Sequence, residues 1–358
     1  MKKVGIMTMH RVINYGSFLQ AYGLKKMISS LGYSVKFIDY KYEKSLIISS
    51  KGQSIVSKIF RHLNILEYLK YKLHTKKFSE AYHNYLYDIG VTKMNYNHDI
   101  DTLVIGSDEV FNCIQPYPVG YSRNLFGYEY EDKDVISYGA SFGFTTLELL
   151  KKYGIDKEVA CFLTKFKSIS VRDRNSYEIV KRLTHANPEI HLDPVLVSDF
   201  SDELLQHEFR QIQDYIVIYV YPNRLSKQEK KYIKSFAKKN KKKIVSLGFY
   251  QSIADYNLII NPFEVLNCIK KADFVITDTF HGTVFSIKMN TKFCVMIRES
   301  NKNKLESLLE FLKQSDRAVN QLSDIDRLYN SKINFERSNE ILKRETNKSI
   351  CYLKSNLD

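Results

Sequence analysis

The sequence predicts an α/β protein with parallel sheets in two domains, and three observations lead to this prediction. The chain has 358 residues, 44% of them hydrophobic, so it can bury a large core, and its length suggests two domains. Short apolar runs alternate with helical patterns, as in strand–helix–strand units. This alternation restarts at Tyr215, after a polar and acidic stretch between Ser198 and Asp214.

The first half of the chain contains a series of predicted strands. Its opening unit consists of a strand at Val4–Met7, a helix from about Phe18 to Gly32 and a strand at Val35–Tyr40. The turn inside this unit carries Asn14 and Gly16, which are candidates to hold a ligand, although ordinary turn formation explains them equally well. Further strands are predicted at Asp101–Ile105, Ile136–Gly139, Ile169–Val171 and His191–Leu196.

A second series of elements begins at Tyr215. The predicted strands and helices are Tyr215–Tyr221, Ser226–Asn240, Lys243–Leu247, Leu258–Ile260, Pro262–Lys271 and Lys304–Gln314. The last segment, about Phe335–Leu353, is amphipathic. We therefore expect an N-terminal domain over residues 1–205, a C-terminal domain over residues 210–330, and a tail, residues 331–358, that packs back on the first domain.

The stretch 272–296 predicts a buried strand, a turn, a helix and a second strand. The turn is crowded with the candidate site residues Asp278, Thr279, His281, Gly282 and Thr283. Ligands bind at the carboxyl edge of open α/β sheets, and a helix N-terminus favours anions. His281 would carry protons there, with its ring held by Asp278. The alternative is that Asp278 or Thr279 only caps the helix and His281 is solvated, but the crowding favours a functional site.

Polar residues also follow three other predicted strands. Ser107 and Asp108 come after the strand that starts at Asp101, and Ser141 comes after the strand at Ile136–Gly139. Arg172 and Arg174 follow the strand at Ile169–Val171 and point to opposite faces if that strand continues. One of these arginines is then placed to meet an anion while the other faces solvent.

The chain is basic, with a formal net charge of +14. This charge suits an anionic substrate, an anionic membrane surface or nucleic acid, and solubility alone also explains it. The segment 41–98 mixes apolar side chains such as Ile55, Ile59, Leu63, Leu66 and Leu69 with the cations Lys41, Lys44, Lys51, Lys58, Arg61, Lys70, Lys72, Lys76 and Lys77. Residues 41–77 therefore fit either a peripheral contact with a membrane or a helical insertion packed on its own domain.

Five scattered cysteines, none in a CxxC pair or near histidines at metal-ligand spacing, predict reduced thiols in a cytoplasmic protein without a metal site. The N-terminus lacks the apolar core of a signal peptide. No apolar stretch is long enough to span a bilayer.

Six sequence blocks, in order along the chain and each at a predicted strand end, resemble the polysaccharide pyruvyl transferase family. They are NYGSFLQAYGL at 14–24, VIGSDEVF at 104–111, SYGASFG at 137–143, SVRDRNS at 170–176, LDP at 192–194 and TDTFHGTVFSI at 277–287. The resemblance implies a fold similar to GT-B glycosyltransferases, in which two Rossmann-like domains face a central cleft. It also implies transfer of a pyruvyl group from phosphoenolpyruvate onto two hydroxyls of one sugar in a capsular or other surface polysaccharide precursor, as a cyclic ketal.

This resemblance sets the expected roles. His281, Arg172 and Asp108 are the catalytic candidates: His281 as the proton carrier or phosphate contact, Arg172 as the anion fork, and Asp108 as a hydroxyl contact or base. Asn14, Gly16, Ser107, Ser141, Arg174, Asp278, Thr279, Gly282 and Thr283 are expected to bind substrates. The first domain would hold the acceptor and the second phosphoenolpyruvate, with no cofactor or metal. The sequence leaves open whether the acceptor is lipid-linked, which would place the enzyme at the cytoplasmic face of the inner membrane.

Two other functions compete with this one. A GT-B glycosyltransferase with a nucleotide-sugar donor would have the same fold, and only the identity of the donor separates the two enzymes. A basic carbohydrate- or nucleic-acid-binding protein would leave His281, Asp278 and Arg172 without a role, so we expect no nucleic-acid partner.

Overall fold

In a computed structural model, which describes residues 2–43, 45–47, 65–115 and 119–358, the strands form two separate parallel sheets. The strands are β1 Lys3–Met7, β2 Ser34–Phe37, β3 Thr102–Asp108, β4 Asp134–Ala140, β5 Ser170–Val171, β6 Glu189–Ile190, β7 Tyr215–Tyr219, β8 Lys243–Leu247, β9 Tyr256–Leu258, β10 Phe274–Thr277 and β11 Phe293–Val295. The first sheet has the order β2-β1-β3-β4-β5-β6, and the second has the order β11-β10-β7-β8-β9. The predicted class, two parallel α/β units, is confirmed.

The helices connect these strands and cover the sheets. They are α1 Tyr15–Ser30, α2 Ile65–Asp88, α3 Leu147–Lys152, α4 Asp156–Leu163, α5 Arg174–Thr184, α6 Pro194–Val197, α7 Ser201–Gln206, α8 Lys227–Lys239, α9 Pro262–Lys271, α10 Phe280–Lys288, α11 Lys302–Phe311, α12 Asp324–Asn330 and α13 Glu336–Leu357. Because both faces of a parallel sheet are covered, its central strands are buried and mostly apolar. All five residues of β7 are buried, and so are all four of β10.

The last helix, α13, returns to the first sheet, as the fold prediction requires. The Tyr352 hydroxyl donates a hydrogen bond to the Ser137 carbonyl in β4 at 2.8 Å. The Tyr352 ring also lies 4.6 Å, centre to centre, from the ring of His191. Burial lowers the pKa of His191 to about 3, so this contact is made by a neutral imidazole.

Residues of the two sheets meet across one interface. The Tyr15 hydroxyl in α1 donates to the Ile260 carbonyl at 3.0 Å and accepts from the Ile260 N–H at 3.1 Å. The rings of Phe18 and Phe263 pack edge to face, 5.7 Å apart. The first turn of α1 is therefore fixed against the second sheet's helices, so groups at the strand ends of both sheets face one another.

The predicted strand at His191–Leu196 is wrong. The strand β6 ends at Ile190, and Pro194–Val197 form the single helical turn α6. Asp193 causes this change, because its side chain accepts the N–H of Val195 at 3.0 Å and Pro194 occupies the first helical position. A proline that fixes φ suits the start of a helix as well as an extended chain.

Part of the basic segment 41–77 can be placed. The helix α2 contains Lys70, Lys72, Lys76 and Lys77, whereas Lys44, Lys51, Ile55, Lys58, Ile59, Arg61 and Leu63 lie outside the described residues. Among the helices that the structure describes, none combines the length and apolar character that crossing a bilayer requires.

Candidate active site

The N-terminus of α10 is shaped by two threonines and a glycine. The Thr279 side chain caps the helix by accepting the Gly282 N–H at 2.9 Å. The Thr277 hydroxyl accepts the Thr279 N–H at 3.0 Å and donates to the Tyr219 carbonyl at 2.7 Å. A Cβ on Gly282 would lie 2.2 Å from the Thr277 hydroxyl oxygen, so a side chain cannot fit there. This local chemistry places His281 in the first turn of α10.

His281 faces the first sheet and is only 7% exposed. Its Nε2 lies 3.5 Å from Oδ2 of Asp193, which is an ion-pair distance rather than that of a good hydrogen bond. Its ring packs on Gly16, where a Cβ would lie 2.2 Å from the ring's Cγ and Nδ1. The expectation that Asp278 holds this ring is therefore wrong: Asp193, at the start of α6, occupies that position.

Arg172 lies between two carboxylates of the first sheet. Its guanidinium donates to Oδ1 of Asp108 at 2.9 Å and to Oδ2 of Asp193 at 3.2 Å. The guanidinium carbon also lies 4.4 Å from the ring centre of Phe280, the first residue of α10. The buried Nε of Arg172 has no hydrogen-bond partner in the described part of the chain. Asp193 thus links Arg172 and His281, and one donor of the fork stays available.

The carboxylates in this group are held in their charged form. Burial opposes the charge of Asp108, but its interactions with Arg172 and His281 outweigh the burial and lower the pKa of that carboxyl. Burial likewise opposes the charge of Asp193, and its contacts with His281 and Arg172 lower its pKa. Asp108 also has φ 75°, a strained backbone conformation for a residue with a side chain, and such strain clusters at functional sites.

Lys304 in α11 places a further cation near Arg172. Its ammonium forms an ion pair with Glu109, which follows Asp108, and lies 5.8 Å from the ring centre of Phe280. Lys304 therefore reaches across from the second sheet's helices to the end of β3. The sequence did not single it out, because one lysine in a Lys-rich helix carries no local signal, and the same applies to its partner Glu109.

Asp278 lies on another side of the α10 N-terminus. It is fully buried, and its Oδ2 lies 3.4 Å from Nε of Arg298 and 4.0 Å from a terminal nitrogen of Arg224. Arg298 also donates to Glu229 at 2.8 Å. Burial raises the pKa of Asp278 to about 6 in spite of both arginines. Neither Oδ1 of Asp278 nor the terminal nitrogen of Arg224 has a hydrogen-bond partner among the described residues.

Several other candidate residues make internal hydrogen bonds. The Ser107 hydroxyl donates to the Gly139 carbonyl at 3.0 Å, and the Ser141 hydroxyl donates to Asp173 at 2.6 Å. The Thr283 hydroxyl donates to the Thr279 carbonyl at 3.0 Å. Asn14 caps α1 by accepting the Ser17 N–H at 2.8 Å. These contacts hold the loops around the site, and a direct role in binding substrates stays a prediction.

A cavity of about 920 Å³ opens beside Arg172, Asp193, Phe280 and Lys304. Arg174, which is exposed at the start of α5, lines it together with Tyr177 and residues of α11 and α13. Arg172 is buried in the site and Arg174 is exposed, but the predicted alternation along a strand does not apply, because β5 ends at Val171 and Arg174 begins α5. A role of Arg174 in binding substrates stays a prediction. The volume is within the range of cavities that bind small ligands, and both charged and aromatic side chains line it.

Comparison with known proteins identifies the family. The family model described as polysaccharide pyruvyl transferase matches residues 14–300, and the chain belongs to that family. No curated protein sequence matches the chain significantly.

Solved structures with similar folds are GT-B enzymes of low sequence identity. A putative UDP-N-acetylglucosamine 2-epimerase from Listeria monocytogenes has a TM-score of 0.52 and 10% identity, with 99% of this chain and 96% of that chain covered. A glycosyltransferase of Streptomyces sp. SF2575, complexed with thymidine diphosphate, has a TM-score of 0.51 and 10% identity, with 99% of each chain covered. At such identity the likeness establishes the GT-B fold alone.

Proposed function

We propose that this member of the polysaccharide pyruvyl transferase family transfers the pyruvyl group of phosphoenolpyruvate onto two hydroxyls of one sugar as a cyclic ketal. The observation that carries the proposal is the contact between the two halves of the fold. His281, at the start of α10, and Arg172, at the end of β5, share the carboxylate of Asp193. A proton carrier and a fixed anion-binding fork therefore meet at one point in the cleft.

The site offers two kinds of group to an anionic donor. Phosphoenolpyruvate carries a carboxylate and a phosphate, and cations and helix N-termini bind such groups. The first N–H groups of a helix have no intrahelical acceptor, so those of Phe280 and His281 are available to one anionic group. Nε of Arg172 and the ammonium of Lys304 flank the Phe280 ring and are placed for the other. Asp108 and Asp193 keep Arg172 oriented in the absence of a ligand.

The chemistry then needs protons moved at defined atoms. C3 of phosphoenolpyruvate gains a proton from His281, and C2 becomes cation-like. A sugar hydroxyl adds to C2 and gives its proton to Asp108. The bond from C2 to the phosphate oxygen breaks, the second hydroxyl closes the ring at C2, and its proton leaves with the phosphate. Asp193 holds His281 in place for these proton transfers.

The cavity beside Arg172 is the proposed acceptor site. Arg174 and Tyr177 of α5 and α13 residues such as Arg337 and Arg344 form one part of its wall, and α11 forms another. The helices α5 and α13 belong to the first sheet's side, in keeping with an acceptor domain over residues 1–205 plus the tail. Tyr177 and Phe280 supply flat apolar faces against which a sugar ring can pack.

Donor identity is the experiment that tests this function. The purified protein is incubated with a panel of glycosides and either phosphoenolpyruvate or nucleotide sugars, and products are identified by mass spectrometry. We expect a glycoside that gains a pyruvyl ketal only when phosphoenolpyruvate is present, and no such product with His281→Ala. Transfer of a sugar from a nucleotide donor, without any ketal, would replace the proposal with the glycosyltransferase function.

A further inference from the structure

The helix α2 carries a row of exposed apolar side chains near its N-terminus. They are Ile65, Leu66, Leu69 and Leu73, with exposed fractions of 72%, 61%, 54% and 56%. Large exposed apolar side chains elsewhere in the described chain, such as Leu205, are scattered, and scattered ones need no explanation. Four such residues within three turns of one helix form a patch, which we call the α2 stripe.

The opposite face of α2 fixes the orientation of the helix. Phe78 packs on the ring of Tyr15 at 5.0 Å, and the Tyr82 hydroxyl donates to the His10 carbonyl at 2.9 Å. Nε2 of His74 lies 3.0 Å from the Gly248 carbonyl, in a loop of the second sheet. At 3.6 residues per turn, the centre of the α2 stripe lies roughly 170° away from this packed face. The stripe therefore points away from the body of the protein.

Lysines border the α2 stripe on both sides. At the same helical spacing, Lys72 projects from one edge, and Lys70 and Lys77 project from the other, each within roughly 40° of the stripe. All three are exposed. Between Ile65 and Lys77 the sequence has four lysines and a single acid, Glu67, which projects towards the packed side. The outward face of this half of α2 is thus apolar over its first turns with lysines at the margins, and at its C-terminal end the same face carries Lys76, which is ion-paired with Glu80.

We propose that the α2 stripe docks the protein on an anionic lipid surface, with α2 lying parallel to it. Apolar side chains flanked by lysines on one face are what an interfacial helix needs, because the former enter the acyl boundary while the latter meet lipid phosphates. A protein partner would have to match a narrow apolar row between two cationic edges, whereas a lipid surface offers acyl chains and phosphates to any such row. The net charge of +14 favours the same surface. The inference does not depend on the proposed reaction.

Cosedimentation with vesicles tests the proposal. The full-length protein is mixed at low salt with vesicles of phosphatidylcholine alone or with phosphatidylglycerol added. We expect binding to the anionic vesicles that weakens as salt is added, and little binding to the neutral ones. The triple variant Leu66→Gln/Leu69→Gln/Leu73→Gln should bind at least about tenfold more weakly, because it loses apolar contacts. Lys70→Gln/Lys72→Gln/Lys77→Gln should bind on the order of 100-fold more weakly.

A second lysine-rich helix provides the matched control. Lys231, Lys234 and Lys238 are exposed on α8, where no large exposed apolar side chain accompanies them. Changing these three lysines to Gln removes the same charge and should leave vesicle binding within about threefold, since only distant charge is lost. All changed residues are exposed, so each variant should keep the wild-type thermal unfolding temperature.

Fluorescence locates the contact, because the chain contains no tryptophan. A tryptophan introduced as Leu69→Trp should shift its emission to the blue on anionic vesicles and be quenched by brominated lipids, whereas Leu205→Trp should respond to neither.

The proposal is overturned by absence of binding at low salt, by equal binding to neutral vesicles, or by equal losses in the α2 and α8 lysine variants. It is also overturned if the stripe variant binds vesicles as well as the wild type does. A third contrary result is a wild type that self-associates without binding vesicles and a stripe variant that no longer self-associates. The last outcome would assign the stripe to a second copy.

Discussion

A single methyl group added at Gly16 should damage the site through His281. The Cβ of an alanine would lie 2.2 Å from Cγ and Nδ1 of the imidazole, whereas ordinary contacts begin at 3.4 Å. The ring must therefore move by about 1 Å, and a displacement of that size costs about 100-fold in rate. We expect Gly16→Ala to lower kcat/KM by about that factor.

Helix propensity predicts that Gly16→Ala stabilises the helix although it lowers activity. Gly16 is the second residue of α1, and alanine is favoured over glycine in a helix by about 0.5–1 kcal/mol. If activity fell only because the protein unfolded, the thermal unfolding temperature would fall with it. Circular dichroism melting therefore accompanies the kinetic assay.

A double-mutant cycle shows whether the loss passes through His281. His281→Ala alone should lower kcat by about 10²–10⁴-fold, the usual contribution of a general acid or base. On that background there is no ring to displace, and only the Cβ at position 281 stays within 2.7 Å of the added methyl group, so adding Gly16→Ala should cost much less than it does in the wild type. Full activity in Gly16→Ala, or an equal loss with and without His281, would refute the reasoning.

Three further predictions concern the charged groups and metal dependence. Arg172→Lys should raise KM for phosphoenolpyruvate by at least about tenfold, because an ammonium cannot contact Asp108 and Asp193 as the two terminal nitrogens do and still offer a fixed Nε to the donor; unchanged steady-state kinetics would remove Arg172 from the donor site. The free energy of unfolding of Asp278→Asn should rise relative to that of the wild type as pH increases from about 4 to 6, by up to about 3 kcal/mol. The reason is that the raised pKa of Asp278 makes the folded wild type lose stability across that window. Melting temperatures at pH 4 and pH 7 check this, and a difference that does not change with pH contradicts it. Removal of divalent metals with EDTA should leave turnover unchanged, and a loss restored by added metal would show a metal requirement.

Elements with local signals were predictable from the sequence. The turn between β10 and α10 follows from Thr279 as a cap and from a glycine at 282, which both act within a few residues. The helix α8 is bounded as predicted because Ser226 and Glu229 form a capping box. Asp193 shows the limit of such reasoning, since the Asp-Pro pair inside the predicted strand at His191–Leu196 begins a helical turn.

The assembly of the site was only partly predictable. Parallel strand ends gather polar residues at one edge, which explains why Arg172, Asp108 and His281 could be chosen before their distances were known. Asp193 lies in the LDP block at 192–194, but its contacts with Arg172 and His281 could not be foreseen from that block. Lys304 reaches the site through packing between the two halves of the fold, and no pattern near it in the sequence reports that packing. Asp278 was chosen for its position next to His281, yet it pairs with Arg298 and Arg224.

The central claim is that phosphoenolpyruvate is the donor at this site, and the stoichiometry of turnover tests it most directly. Phosphate released from phosphoenolpyruvate and ketal formed on the acceptor are measured together, over time, by ³¹P and ¹H nuclear magnetic resonance. The account predicts equal amounts of both with the wild type and neither with His281→Ala. Phosphate release without ketal, or ketal formed at the wild-type rate by His281→Ala, would contradict it.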